Sequence, residues 1–347
     1  MDKKTAIILF NLGGPDSIGA VRSFLFNLFY DKEIIRVRNP FRWIIAKVIS
    51  LKREKTAQEI YNLLGGKSPI LEETKKQADL LEKKLNAGSK SKSFEVLISM
   101  RYWHPFAEEV ISYLAKAKGE YKELILLPLY PQFSTTTSRS SIKDFLKKSE
   151  ILNLPTKTLC CFYQDAKFIE AHVEVIKKLL NKLDYKKAEI LFSAHGLPES
   201  IIKAGDPYQW QTEKTAFLIM KELNIKIPYR ICYQSRVGPM RWLEPSTEKE
   251  IKRCAQQGKE VLLVPISFVS EHSETLVELD IEYKKLYLEN GGNNYLRAPS
   301  LSCNKKFIES LASLCLKLHK KCFEGKVCSS TEGRDCPNRF KGCINDE

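Results

Sequence analysis

What most constrains the fold of this chain is an alternation. Short apolar runs of buried-strand length recur near Thr5–Leu12, Phe94–Arg101, Lys122–Pro128, Lys157–Tyr163, Glu189–Ala194, Tyr229–Gln234, Glu260–Ser267 and Tyr295–Leu301, and helical patterns separate most of them. One such pattern carries Ile70, Leu71, Thr74, Ala78, Leu81 and Leu85 on a single face and ends at Asn86, Ala87 and Gly88. Strand, helix and strand in succession imply parallel pairing, and a parallel sheet must be covered on both faces. The expected fold class is α/β.

At 347 residues the chain is too long for one ordinary core and suits two α/β domains. An internal repeat marks the division. L-F-N-L-G-G-P at 9–15 echoes L-F-S-A-H-G-L-P at 191–198, and K-E-L-I-L-L-P at 122–128 echoes K-E-V-L-L-V-P at 259–265. The expected boundaries are 1–165, 166–305 and a helical, cysteine-rich extension over 306–347. The two similar halves would hold a four-stranded parallel sheet each and enclose a cleft.

A net charge of +14 points to an anionic partner. There is no zinc-finger spacing, aromatic stacking motif or basic helix to make that partner nucleic acid. A carboxylated ligand or an anionic membrane surface fits the charge equally well. No apolar window reaches membrane-span length, and the N-terminus enters a strand pattern without a cleavage site, so a cytoplasmic protein is expected. Ten cysteines in such a compartment are read as reduced thiols or metal ligands.

Chemistry gathers at two strand exits. Ala188 to Ser200 reads A-E-I-L-F-S-A-H-G-L-P-E-S, an apolar run broken by histidine, glycine and proline, which sets His195 at a strand tip where an open α/β sheet receives ligands. Val261 to Phe268 runs into S-E-H-S-E-T-L-V-E-L-D, so Glu271, His272, Glu274 and Glu278 follow another strand. Wound as an α-helix, Glu271, Glu274 and Glu278 would share one face at i, i+3 and i+7. Position alone also allows a structural histidine and a solvated acidic face.

Taken together, S-A-H-G-L-P at 193–198 and S-E-H-S-E-T-L-V-E-L-D at 270–280 resemble the ferrochelatase family, which inserts ferrous iron into a porphyrin. N-L-G-G-P-D at 11–16, G-G-K-S-P-I at 65–70, M-R-Y-W-H-P at 100–105 and Y-Q-S-R-V-G-P-M-R-W-L at 233–243 extend the resemblance in the family's order over most of residues 5 to 300. It implies two similar Rossmann-like, chelatase-like domains. It implies His195 and Glu274 as the catalytic pair and Fe(2+) ligands, with His272 and Glu278 as a relay. It also implies Arg53, Tyr61, Ser68, Arg101, Tyr102 and Trp242 around the porphyrin. Histidine suits the chemistry, because its ordinary pKa of about 6.5 allows it to accept pyrrole protons near neutrality.

The implied reaction is synthesis of protohaem from protoporphyrin IX and ferrous iron. Coproporphyrin ferrochelatase, cobalt chelatase and a non-enzymatic porphyrin or haem carrier remain the alternatives, and the chain is expected as a monomer or homodimer. Residues Ser23 to Ile49 alternate apolar clusters with Arg36, Arg38, Arg42 and Lys47, the composition of a segment that rests in a membrane interface. In the family this region is the lip of the pocket, which adds a peripheral position on the inner membrane to the expectations; a plain packed helix pair is the other reading.

Cys328, Cys336 and Cys343 in the tail are separated by seven and six residues and match no standard zinc spacing. Some ferrochelatases hold a [2Fe–2S] cluster with three cysteines of a C-terminal extension and one from the body. The body position of the animal pattern is Thr135 in this chain and the tail spacing differs from the animal one too, so a fourth ligand is expected from elsewhere, with Cys160 or Cys161 as the candidates; a structural zinc and unligated thiols are the other readings of the tail.

Overall fold

The computed structural model describes residues 3–88, 93–117, 119–235, 240–320, 327–330 and 333–344. It contains two compact units, Met1–Cys161 with Leu311–Arg334, and Phe162–Ser310 with Asp335–Glu347.

The first unit runs β1 (Lys4–Asn11), α1 (Val21–Tyr30), α2 (Phe41–Leu63), α3 (Ile70–Leu85), β2 (Phe94–Met100), α4 (Ala107–Lys116), β3 (Tyr121–Pro128), α5 (Ser138–Ser149) and β4 (Thr156–Leu159). Its strands lie in the order β2-β1-β3-β4 and pair in parallel. The second unit runs α6 (Ala166–Leu180), β5 (Ala188–His195), α7 (Glu199–Lys203), α8 (Tyr208–Leu223), β6 (Tyr229–Gln234), α9 (Thr247–Gln256) and β7 (Glu260–Pro265). A π-helix (Glu274–Glu282), α10 (Tyr283–Glu289) and β8 (Tyr295–Arg297) complete it. Its order, β6-β5-β7-β8, is that of the first sheet with each strand replaced by its counterpart. The sequence repeat is thus a repeat of topology.

The central strands explain why they read as unbroken apolar runs. Ile7, Ile8 and Leu9 of β1 and Ile190, Leu191 and Phe192 of β5 are fully buried, because helices cover both faces of each sheet. Cys232 and Cys254 lie in the second core as small apolar groups.

Three differences from the sequence reading concern ends. β4 stops at Leu159 instead of Tyr163, β8 at Arg297 instead of Leu301, and β7 at Pro265, whose missing N–H cannot continue a ladder. The first sheet also gains a fifth, two-residue strand, β9 (Val327–Cys328), which pairs with Thr158 and Leu159 beyond the end of α11 (Lys305–Lys320). That end of α11 is tied to the first sheet. His319 Nδ1 lies 2.5 Å from Glu123 Oε1, and Lys157 Nζ lies 3.0 Å from the other Glu123 oxygen.

Candidate active site

His195 is the last residue of β5, and its side chain is 38% exposed, open enough to be reached. The chain then turns tightly over the neighbouring strand. A Cβ on Gly196 would meet the Gln234 carbonyl at 2.6 Å, so only glycine permits this exit. Trp242 closes the turn, pairing across to Pro198, and its buried indole N–H has no hydrogen-bond partner among the described residues.

The acidic run meets His195 from β7. Glu274 opens the π-helix, and its Oε2 lies 2.9 Å from His195 Nδ1. Gln234 Nε2 and Ser235 Oγ donate to the same oxygen at 3.2 and 3.0 Å, and both also reach Glu278 Oε2, at 3.3 and 2.7 Å. The Ser235 N–H and Tyr283 Oη hold the second Glu278 oxygen at 3.1 and 2.7 Å. Ser235 adopts a left-handed backbone with φ +62°, strain of the kind that collects at functional sites and that here aims both of its donors at carboxylates. His272 is buried with Nε2 4.0 Å from Glu274 Oε1 and Nδ1 3.1 Å from the Ser270 carbonyl.

One expectation is corrected. Glu271 does not share a face with Glu274 and Glu278. It precedes the helix, and its Oε1 lies 2.6 Å from Arg297 Nη1. The helix is also π rather than α, a rare geometry that is frequent at functional sites. Local periodicity could not anticipate either, since Arg297 lies 26 residues downstream of Glu271.

The charges within the cluster are unequal. Burial opposes a charge on His195, but Glu274, with Glu278 behind it, outweighs this and holds the imidazole above its ordinary range. Burial likewise opposes ionisation of Glu274, yet the charge and hydrogen bond of His195 hold it well below the usual carboxylate range. Glu278 is raised by burial and then by the Glu274 charge. His272 is lowered, chiefly by burial. An ionised Glu274 only accepts hydrogen bonds, so Nδ1 carries the proton and neutral His195 presents Nε2 as its basic lone pair. Ser235 has one hydroxyl proton for two carboxylates, so at any moment it donates to either Glu274 or Glu278.

The first unit brings together other sequence-derived residues. Tyr61 and Tyr102 are buried with Val21, Phe24 and Leu25. Tyr102 Oη donates to Asp31 at 2.9 Å, and Arg101 pairs with Asp31 at 3.0 Å and Asp144 at 3.4 Å, so Arg101 enters a charge network that the sequence did not reveal. Ser68 is buried against Gly14, where an added Cβ would come within 2.5 Å of its side chain. Arg53 is exposed, with its guanidinium 5.9 Å from the Phe29 ring centre. α1 and α2 pack against each other, while Phe41, Ile44, Val48 and Leu51 of α2 recur at helical spacing and are 43–64% exposed. No helix among the described residues is long and apolar enough to cross a membrane.

The cysteines divide between the units. Cys160 and Cys161 are buried after β4 with their sulfurs 3.5 Å apart, and the Cys328 backbone pairs with Leu159. Cys336 and Cys343 are buried in the second unit, where Gln211 Nε2 donates to Cys336 Sγ at 3.0 Å. The Cys328 side chain and all of Arg236 lie outside the described residues. Among the described residues no three ligating side chains group into a metal site.

A base, an ionised carboxylate beside it and a second carboxylate joined by a serine form an arrangement that can remove protons and receive a divalent cation. Gln234, Ser235 and Tyr283 were missed as site residues, although Q-S stands inside the motif at 233–243.

A family model described as Ferrochelatase matches residues 4–318. The ferrochelatase of Rickettsia felis is 53% identical over 345 residues, covering 99% of this chain and 98% of that one. A ferrochelatase of Wolbachia sp. subsp. Drosophila simulans is 54% identical over 320 residues, 91% of this chain and 99% of that one. Among solved structures, SirB from Bacillus subtilis superposes with a TM-score of 0.54 at 11% identity, covering 91% of this chain and 96% of that one, which speaks for the fold alone. With the full-length identity to the Rickettsia and Wolbachia enzymes, the chain belongs to the ferrochelatase family, metal-chelating lyases of haem biosynthesis that take ferrous iron and a porphyrin as substrates.

Proposed function

We propose that the porphyrin is protoporphyrin IX, that His195 removes its pyrrole protons and that Glu274 is the acidic partner. The observation that carries this reading is the bonded His195–Glu274 pair at two strand exits. Insertion of Fe(2+) displaces two N–H protons, so the site must take up two positive charges while one dication enters the ring. His195 Nε2 accepts a proton; Glu274 stabilises the resulting imidazolium and offers oxygen to the incoming iron. Glu278, linked through Ser235, receives the second proton or passes it to solvent, and His272 extends the polar path on the other side. Anaerobic assays with protoporphyrin and coproporphyrin test the substrate. Faster insertion into protoporphyrin is expected; preference for coproporphyrin would reassign it, and tight binding without turnover would indicate a carrier.

Arg53 is the proposed partner of a propionate, since an exposed guanidinium can bind both carboxylate oxygens. Trp242, with its unpartnered indole N–H, is proposed to contact the macrocycle, and Tyr61, Ser68, Arg101 and Tyr102 to shape its pocket. The apolar stripe on α2 is proposed to enter a membrane interface, with Arg42 and Lys47 meeting lipid headgroups. Replacing Trp43 and Ile44, both about half exposed, with serine should weaken binding to anionic vesicles without lowering the melting temperature. A large loss of stability would identify them as core.

We further propose a [2Fe–2S] cluster held by Cys328, Cys336, Cys343 and one of Cys160 or Cys161. The donor chemistry fits. The four cysteines other than Cys328 are buried, and the Gln211 amide directed at the Cys336 sulfur would favour a thiolate there.

A further inference from the structure

The proposed catalytic carboxylates stand on a π-helix, whose wider turn makes it a rare alternative to the α-helix that α10 adopts immediately after it. Conversion to α-helical winding would rotate each successive side chain about the axis and move Glu278 relative to Glu274. Something must hold the wider turn, and β8 is suited to do so. Tyr295 and Arg297 are two residues apart and so lie on the same face of that strand. Tyr295 Oη donates to the Leu279 carbonyl of the π-helix at 2.5 Å. Arg297 reaches both sides of Glu274: Nη1 lies 2.6 Å from Glu271 Oε1, ahead of the helix, while Nε donates to Asp280 Oδ1 at 3.0 Å and Nη2 to the other Asp280 oxygen, within it. The Ser300 N–H adds a bond to Glu271 at 2.8 Å.

We propose that Arg297 is a positioning residue for metal insertion, clamping Glu271 to Asp280 and thereby fixing where Glu274 and Glu278 point. The inference rests on the role given to Glu274 above. Only a planar fork can hold two carboxylates in fixed directions at once, and the Arg297 side chain is just 8% exposed, so little water competes for it. The clamp touches neither substrate; it acts through the helix.

The test is anaerobic kinetics with iron and porphyrin varied separately, on Arg297→Met, Arg297→Lys and Glu274→Gln. For Arg297→Met the KM for iron should rise about tenfold and kcat fall about tenfold, while the KM for porphyrin stays within about twofold, as expected of misplaced metal-facing groups. Loss of folded protein would lower the apparent kcat but leave the iron KM unchanged. Lysine keeps the charge and should recover part of the iron affinity. If Arg297→Met does not fold, Asp280→Asn at a half-buried position removes the bidentate partner and should raise the iron KM in the same direction. An unchanged iron KM in a folded variant, with Glu274→Gln inactive, would overturn the role of Arg297. Wild-type turnover in Glu274→Gln would instead overturn the site reading beneath it.

Discussion

Alanine in place of His195 is expected to reduce iron insertion by about 10³-fold or more, about 4 kcal/mol of barrier, with porphyrin affinity kept within about tenfold. The histidine acts on protons lost during insertion, so its removal should appear in kcat rather than in porphyrin binding. Anaerobic turnover and porphyrin fluorescence quenching check the two quantities; substantial residual turnover would remove His195 from the base role. Glu274→Gln keeps size but removes charge and should be similarly severe.

The pair also fixes a pH dependence. His195 serves as a base only when neutral, and its raised pKa means that it stays protonated to higher pH than an ordinary histidine. The acid limb of kcat/KM should therefore lie above about 6.5. In Glu274→Gln the main raising influence is gone while burial still opposes the charge, so the limb of any residual activity should move to lower pH. A limb unmoved by that substitution would assign the titration to another group.

The second large effect concerns the tail. Anaerobically purified protein is expected to be red-brown, with about two irons and two acid-labile sulfides per chain, because a [2Fe–2S] cluster takes four thiolates. Serine at Cys336 should bleach it, and serine at one of Cys160 and Cys161, but not at the other, should do the same. Iron and sulfide analysis with visible absorption decides the matter. Colourless protein with stoichiometric zinc would replace the cluster by a structural zinc site, and protein without metal would leave free thiols. Since the described tail cysteines, Cys336 and Cys343, do not enter the His195 and Glu274 network, cluster loss should lower activity through stability.

Much of the fold was legible because a strand buried on both faces must be apolar at every position, and that requirement is local. β1, β3, β5 and β7 were therefore visible as runs, and their repetition foretold two similar halves, whose shared strand order the structure supplies. β9 was not visible, since two residues carry no periodicity and its existence depends on β4. His195 was legible from the break in pattern after Ala194. Ser235 was not, because its left-handed backbone answers to Glu274 and Glu278, about 40 residues away in the chain.

By itself, then, the sequence determined the alternating elements, the repeat and the motifs that carry a histidine and acids to strand exits. These follow from which side chains water excludes, and neighbours along the chain report that. Tertiary structure alone decided which acids joined the histidine. Glu271 and Glu274 are the same residue type three positions apart, yet one pairs with Arg297 and the other with His195, 79 residues away. Charges take the partners that folding brings within hydrogen-bond reach, and neither the width of the π-helix nor the position of Arg297 is written in the spacing of the acids.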